Sequence, residues 1–204
     1  MIETEQKIIL SRESLEDVFN KLAPSEFKRK HHPRAYFDTL DMQLHHRKAA
    51  LRIQKKSSGG FKQTIKAAHA DQGDSLVRSE WDMAIANDHP DFSVIDNPDI
   101  LKILADVDSK KMVHIFTSDV KRRFFDIDVP GKGIVEVAFD LGEIYLPNGD
   151  IREELCEIEV ELKSGNESAI DDVVARILDM AADAKVSKSS KAERGFNLYQ
   201  KHRL

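Results

Sequence analysis

Eight stretches of this chain read as strands, and in at least five an apolar half alternates, with a period of two, with a half dense in ionisable groups. A β-strand sends successive side chains to opposite faces, so each such stretch carries one apolar face and one charged face. The first, residues 2–10, sets the pattern: Glu3, Glu5 and Lys7 alternate with Ile2, Thr4, Gln6 and Ile8. Residues 50–56 set Leu51 and Ile53 against Arg52, Gln54 and Lys56. Residues 61–67 set Phe61, Gln63 and Ile65 against Lys62, Thr64 and Lys66, and residues 76–85 place Arg78, Glu80 and Asp82 on one face. Late in the chain, Glu136, Ala138 and Asp140 share a face, while Glu157, Glu159 and Glu161 alternate with Ile158, Val160 and Leu162. A sheet with one face in water would mix Thr, Ser and Asn among its charges. Here arginines, lysines and carboxylates stand nearly alone.

The segments between these strands read as turns and short helices. Ser57-Ser58-Gly59-Gly60, Pro130-Gly131-Lys132-Gly133 and Pro147-Asn148-Gly149-Asp150 are turn signals between alternating runs, which is how a hairpin looks in sequence. Ser11 is placed to cap a helix over 14–22 that Pro24 stops, and residues 166–182 carry Ile170, Val174, Ile177 and Leu178 at helical spacing. Residues 27–39 form a strand region with Lys28, Lys30 and Arg34, and 41–49 a connector. Two short helical pieces lie within 90–106, broken at Asn97-Pro98, and a basic helical tail runs over 185–203. Hairpin connections favour an antiparallel sheet, and eight strands suit closure. The expected fold is therefore α+β: a closed eight-stranded antiparallel β-barrel with flanking helices. It occupies residues 1–204 as a single domain, with a C-terminal helical segment over about 166–204.

Closure with the charged face inward would fill the lumen with cations and carboxylates together. Buried charge must be paired or bind a ligand. A polyanion satisfies the arginines and lysines, which hold phosphate oxygens. The carboxylates then require a hard divalent cation such as Mg²⁺, which takes carboxylate, phosphate and water oxygens. Charge logic thus points to a metal–polyphosphate site inside a barrel. The net charge of −5 argues against a general nucleic-acid binder. No stretch approaches the roughly 20 apolar residues of a membrane span. The lone Cys156 can form no internal disulfide, and no apolar leader precedes the first strand, so a soluble cytoplasmic protein is expected. Nothing in the sequence fixes an oligomeric state.

Glu3-Thr4-Glu5-Gln6-Lys7 resembles the E-x-E-x-K motif that opens the CYTH superfamily, the triphosphate tunnel metalloenzymes. Tyr36-Phe37-Asp38-Thr39, Leu51-Arg52-Ile53, Gln63-Thr64-Ile65-Lys66 and Arg78-Ser79-Glu80-Trp81 follow in that family's order. So do the stretches over 135–142, 156–161 and 190–195. The Gln63–Lys66 and Arg78–Trp81 forms look most like the inorganic triphosphatase branch. The resemblance implies metal-dependent hydrolysis of inorganic triphosphate (tripolyphosphate) to pyrophosphate and phosphate, with one or two Mg²⁺ or Mn²⁺ ions. It implies that Lys7, Arg52, Lys66, Arg78 and Arg122 grip the phosphates and that Lys191 reaches the tunnel from the last helix. By the same resemblance Glu3, Glu5, Asp140, Glu157 and Glu159 hold metal, and Glu5, Lys7, Glu80 and Lys191 carry the reaction.

One departure stands out. The third strand of the family often reads L-R-x-R, and Gln54 replaces the second arginine here; Lys56, on the same face, is the residue expected to compensate. Other readings of the same tunnel are a thiamine triphosphatase, a class IV-like adenylate cyclase, or a module that binds polyphosphate or nucleotide without cleaving it. Cys156 alternates with Glu157 and is expected on the outer face, away from the chemistry.

Overall fold

The computed structural model describes residues 4–68 and 78–203. Its strands are β1 (Glu5–Ile9), β2 (Lys28–Asp38), β3 (Ala49–Lys55), β4 (Phe61–Ala68), β5 (Arg78–Ile85), β6 (Val113–Val129), β7 (Gly133–Tyr145), β8 (Arg152–Gly165) and β9 (Lys185–Ser187). Helices are α1 (Arg12–Leu22), α2 (Gln43–His46), α3 (Pro98–Ile103), α4 (Ser168–Met180) and α5 (Lys191–His202). All ladders are antiparallel, in the order β5-β4-β3-β2-β6-β7-β8-β1-β9.

The antiparallel, sheet-rich α+β expectation holds; the closed eight-stranded barrel does not. Among the described residues the sheet has nine strands, and no ladder joins its ends, β5 and β9. The reason lies in residues 185–187. These were to belong to a helical tail, but Lys185–Ser187 instead lie along the outer edge of β1, opposite Lys7–Ile9. That edge is the one a closing strand would need. Helix α5 begins only after this short strand.

The period-two alternation sorts the two faces. One face of β1, β7 and β8 sends Ile8, Val137, Phe139, Ile158 and Val160 against Leu15, Val18 and Phe19 of α1 and Ile170, Val174 and Ile177 of α4. Cys156 packs in this outer core, as its place opposite Glu157 requires. Leu51, Ile53 and Ile65 form a second core with Ile100 and Leu104 from the α3 region, where Asn97 caps α3 ahead of Pro98. Asp38 of the Tyr36–Thr39 motif is fully buried, and its carboxylate accepts from the amides of Thr39, Leu44 and His45 at 2.7, 2.9 and 2.9 Å. It thus locks the turn from β2 into α2 and takes no part in the charged face.

Helix α5 is seated by a glycine. A Cβ on Gly195 would lie 2.2 Å from the Phe116 ring of β6. Phe116 is fully buried, stacks on Tyr36 at 4.4 Å between centroids, and meets Phe196 edge-on at 5.3 Å. Tyr36 and Phe196 both pack on the ring, so its retreat would disturb them. Gly195→Ala is therefore expected to destabilise the protein by about 1–3 kcal/mol through overpacking. A denaturant titration checks this, and an unchanged midpoint would show that α5 can lift away without loss.

Candidate active site

The charged faces meet in one cavity of about 740 Å³ to which β1 through β8, α2 and α5 all contribute. Glu5 of β1 and Glu80 of β5 stand far apart in the sheet order yet line the same space. The sheet therefore curls enough to give the inward charged face expected of a barrel, without the closing ladder.

A buried carboxylate cluster sits under the start of α5. Asp140, Glu157 and Glu159 each offer an oxygen, and these lie within 4.8 Å of one another. Register explains the grouping: Asp140 of β7 is directly opposite Glu157 of β8, and Glu159 follows two residues on, on the same face. The Lys191 ammonium reaches all three, at 2.7 Å from Asp140, 2.5 Å from Glu157 and 2.8 Å from Glu159. Ser190 caps α5 by accepting from the Glu193 amide at 3.1 Å, so Lys191 is the first helical residue. A cation at that end opposes the helix dipole; the three carboxylates outweigh it.

Glu159 is the hub. It accepts from Lys7 at 2.7 Å, from Lys191 and from Arg122, while Arg122 also grips both Asp140 oxygens at 2.7 and 2.6 Å. Burial pushes the Glu159 carboxyl up, but Lys191, Lys7 and Arg122 outweigh it and hold it well below the usual range. Asp140 is also lowered, with Lys191 and Arg122 overcoming its burial. Glu157 moves the other way, because burial and the neighbouring Glu159 charge prevail over Lys191. Lys191 is raised despite burial, by Asp140, Glu159 and Glu157.

Across the cavity, Glu80 accepts from Arg52 at 3.1 Å and pairs with Lys66. Thr64 and Asp82 extend this cross-strand row. Burial raises Glu80, but Arg52 and Lys66 bring it below its ordinary value. Glu5 pairs with Lys7 at 2.9 Å and lies at the rim, opposite Glu161 and outside the buried three-carboxylate cluster.

The structure thus gathers Glu5, Lys7, Arg52, Lys66, Glu80, Arg122, Glu159 and Lys191 around one space, with Asp140 and Glu157 buried beside it. Glu3 and the side chain of Arg78 lie outside the described residues. Lys56 does not join the site: β3 ends at Lys55, and Lys56 stands exposed in the hairpin, its amide donating to the Gly60 carbonyl at 3.0 Å. Alternation stops where the ladder stops, so a face assignment cannot be carried into the turn. Lys30, Arg34 and Tyr36 of β2 also line the cavity. Their even spacing was the signal that could have found them. The Tyr36 phenol hydrogen-bonds Arg52; burial raises it, and Arg52 and Arg34 bring it below its usual value.

The carboxylate cluster fits a hard divalent ion. It offers three oxygen donors, and the second oxygen of Glu157 is buried with no hydrogen-bond partner. Lys191 touches the same three residues, so it competes with a metal for them.

A family model described as the CYTH domain matches residues 1–196. An inorganic triphosphatase from Haemophilus influenzae is 38% identical over 96 residues, which is 47% of this chain and 26% of that protein. The match thus spans about a quarter of the curated relative's length. Among solved structures, a putative adenylate cyclase from Bacillus halodurans aligns with a TM-score of 0.62 at 22% identity, covering 95% of this chain and 96% of that one. A putative adenylyl cyclase from Hippeastrum, described as having a dominant triphosphatase activity, aligns at 0.59 and 17% identity, covering 100% and 97%. These two likenesses are to the fold. No helix among the described residues is long and apolar enough to cross a membrane.

Proposed function

This chain belongs to the CYTH domain family, and we propose that residues 1–204, as one domain, hydrolyse inorganic triphosphate to pyrophosphate and phosphate with Mg²⁺ or Mn²⁺. The observation that carries this reading is the pairing of a cation-lined cavity with a buried three-carboxylate cluster in its wall. A simple anion receptor has no use for those acids. The inorganic triphosphatase relative supports the same substrate.

In this mechanism Arg52, Lys66, Lys7, Arg122 and Arg78 bind the phosphate oxygens and orient the chain of phosphates. Charge in phosphoryl transfer spreads over those oxygens, so fixed cations supply most of the stabilisation. Asp140, Glu157 and Glu159 would hold the divalent ion, which contributes Lewis-acid polarisation of the phosphoryl group. Water attacks the terminal phosphorus as the bond to the bridging oxygen breaks. Pyrophosphate leaves with that oxygen, and a cavity glutamate, Glu5 or Glu80, takes the proton of the attacking water. Lys191 steadies the leaving phosphate or the acids, according to which carries the greater negative charge.

Phosphate release from tripolyphosphate, ATP and thiamine triphosphate, measured side by side with Mg²⁺, Mn²⁺ or a chelator, tests this. Metal-dependent release from tripolyphosphate above the other two is expected. Preference for an organic triphosphate would move the activity to a sister reaction. Binding without release would make the cavity a receptor.

A further inference from the structure

Every carboxylate in the inner cluster is matched by cations within ion-pair distance, but the inner cation Arg34 has no carboxylate at that distance among the described residues. Arg34 of β2 lines the cavity, and its Nε is buried without a hydrogen-bond partner. No ion pair involves it among the described residues. Its cross-strand neighbour Ser118 carries a hydroxyl that is also buried and unpartnered, so the two do not satisfy each other. Burial and then the Arg52 charge bring the guanidinium down to about 10, with Arg122 adding to the effect. Tyr36 and Glu159 oppose that shift without cancelling it, and the group remains a cation at neutral pH beside Arg52 and Arg122.

Its position also bears on Gln54. Ala35 is opposite Ile53 and Tyr36 is opposite Arg52; one further step along the ladder brings Arg34 toward Gln54. Both side chains line the cavity. The cationic function missing from β3 is thus available on the neighbouring strand.

We propose that Arg34 is an anion-binding residue that holds phosphate oxygens of a linear polyphosphate, beside Gln54 and in place of the arginine that Gln54 replaces; Lys62, opposite Gln54, is already paired with Asp82 at 2.7 Å. This rests on the triphosphatase reading. Arginine suits the task because its planar fork takes two phosphate oxygens at once. The residue is a binding group and need not touch the bond that breaks.

The test compares the unmodified chain with Arg34→Gln by calorimetric titration of tripolyphosphate in chelator, by thermal melting without ligand, and by hydrolysis with Mn²⁺. Arg34→Gln is expected to melt at or above the unmodified protein, since it removes a half-buried cation whose Nε has no hydrogen-bond partner and which stands beside Arg52 and Arg122. Its tripolyphosphate affinity should fall about tenfold or more, the scale of losing a charge-assisted hydrogen bond. KM should rise by a similar factor while kcat changes less. Adding Gln54→Arg to this variant should recover part of the affinity. Unchanged affinity in a folded Arg34→Gln protein overturns the subsite and leaves the triphosphatase reading standing. A lowered melting temperature with unchanged ligand binding also overturns it, by making Arg34 structural. If the unmodified chain neither binds nor cleaves tripolyphosphate, the triphosphatase reading falls and the subsite falls with it.

Discussion

Lys191→Ala is expected to destabilise the protein by about 3–5 kcal/mol, the scale of removing one partner from a buried ion pair. The ammonium is almost fully buried and touches Asp140, Glu157 and Glu159 at 2.5–2.8 Å. Arg122 and Lys7 remain, but neither contacts Glu157 at ion-pair distance. Arg194 stands 3.8 Å from that residue's other oxygen, which has no hydrogen bond. Alanine therefore leaves Glu157 with a buried negative charge or obliges it to bind a proton. Denaturant unfolding in chelator checks the loss. Millimolar Mg²⁺ should return part of it, because an ion that binds only the folded state stabilises by mass action. If Lys191→Ala unfolds like the unmodified protein, the carboxylates must already find another cation, and the part assigned to Lys191 is wrong.

Glu159→Gln is expected to lower triphosphate hydrolysis by a factor of about 10³ or more, comparable to removing a principal electrostatic group from an active site. Three cations converge on this carboxylate: Lys7, Arg122 and Lys191. The amide keeps the shape but removes the charge that holds them in register. It also turns one of the three anionic oxygen donors into a neutral amide oxygen in the only metal-capable group found among the described residues. Half-maximal activity should then need more Mg²⁺ or Mn²⁺. A steady-state rate series against metal concentration decides the matter: full activity at the usual concentration would exclude Glu159 from both roles. Glu5→Gln makes a useful contrast. Glu5 is more exposed and pairs with Lys7, so its loss should change the rate with little effect on folding.

Much of this site was legible from period two. The alternation in β1, β3, β4, β7 and β8 assigned Glu5, Lys7, Arg52, Lys66, Asp140, Glu157 and Glu159 to a common charged face. A strand's face is a local property, fixed by backbone geometry. Lys56 shows the limit of that rule, since it lies one residue past the end of its strand. Arg34 shows another: its alternation was visible, but that its buried Nε has no hydrogen-bond partner follows only from what surrounds it.

The sequence by itself determined which residues alternate, where the hairpins turn, and that acids and bases share one side of the sheet. These follow from nearest-neighbour geometry along the chain. Tertiary structure alone decided that residues 185–187 cover the edge of β1 and that Lys191 enters the acid cluster from the end of α5. It also decided which acids are buried together and that the Nε of Arg34 is buried without a hydrogen bond. Those outcomes depend on contacts between segments more than 30 residues apart, such as Lys191 with Glu159 at a separation of 32. No local periodicity encodes such a distance, because it is set by how the sheet curls and how closely Gly195 lets a helix approach Phe116.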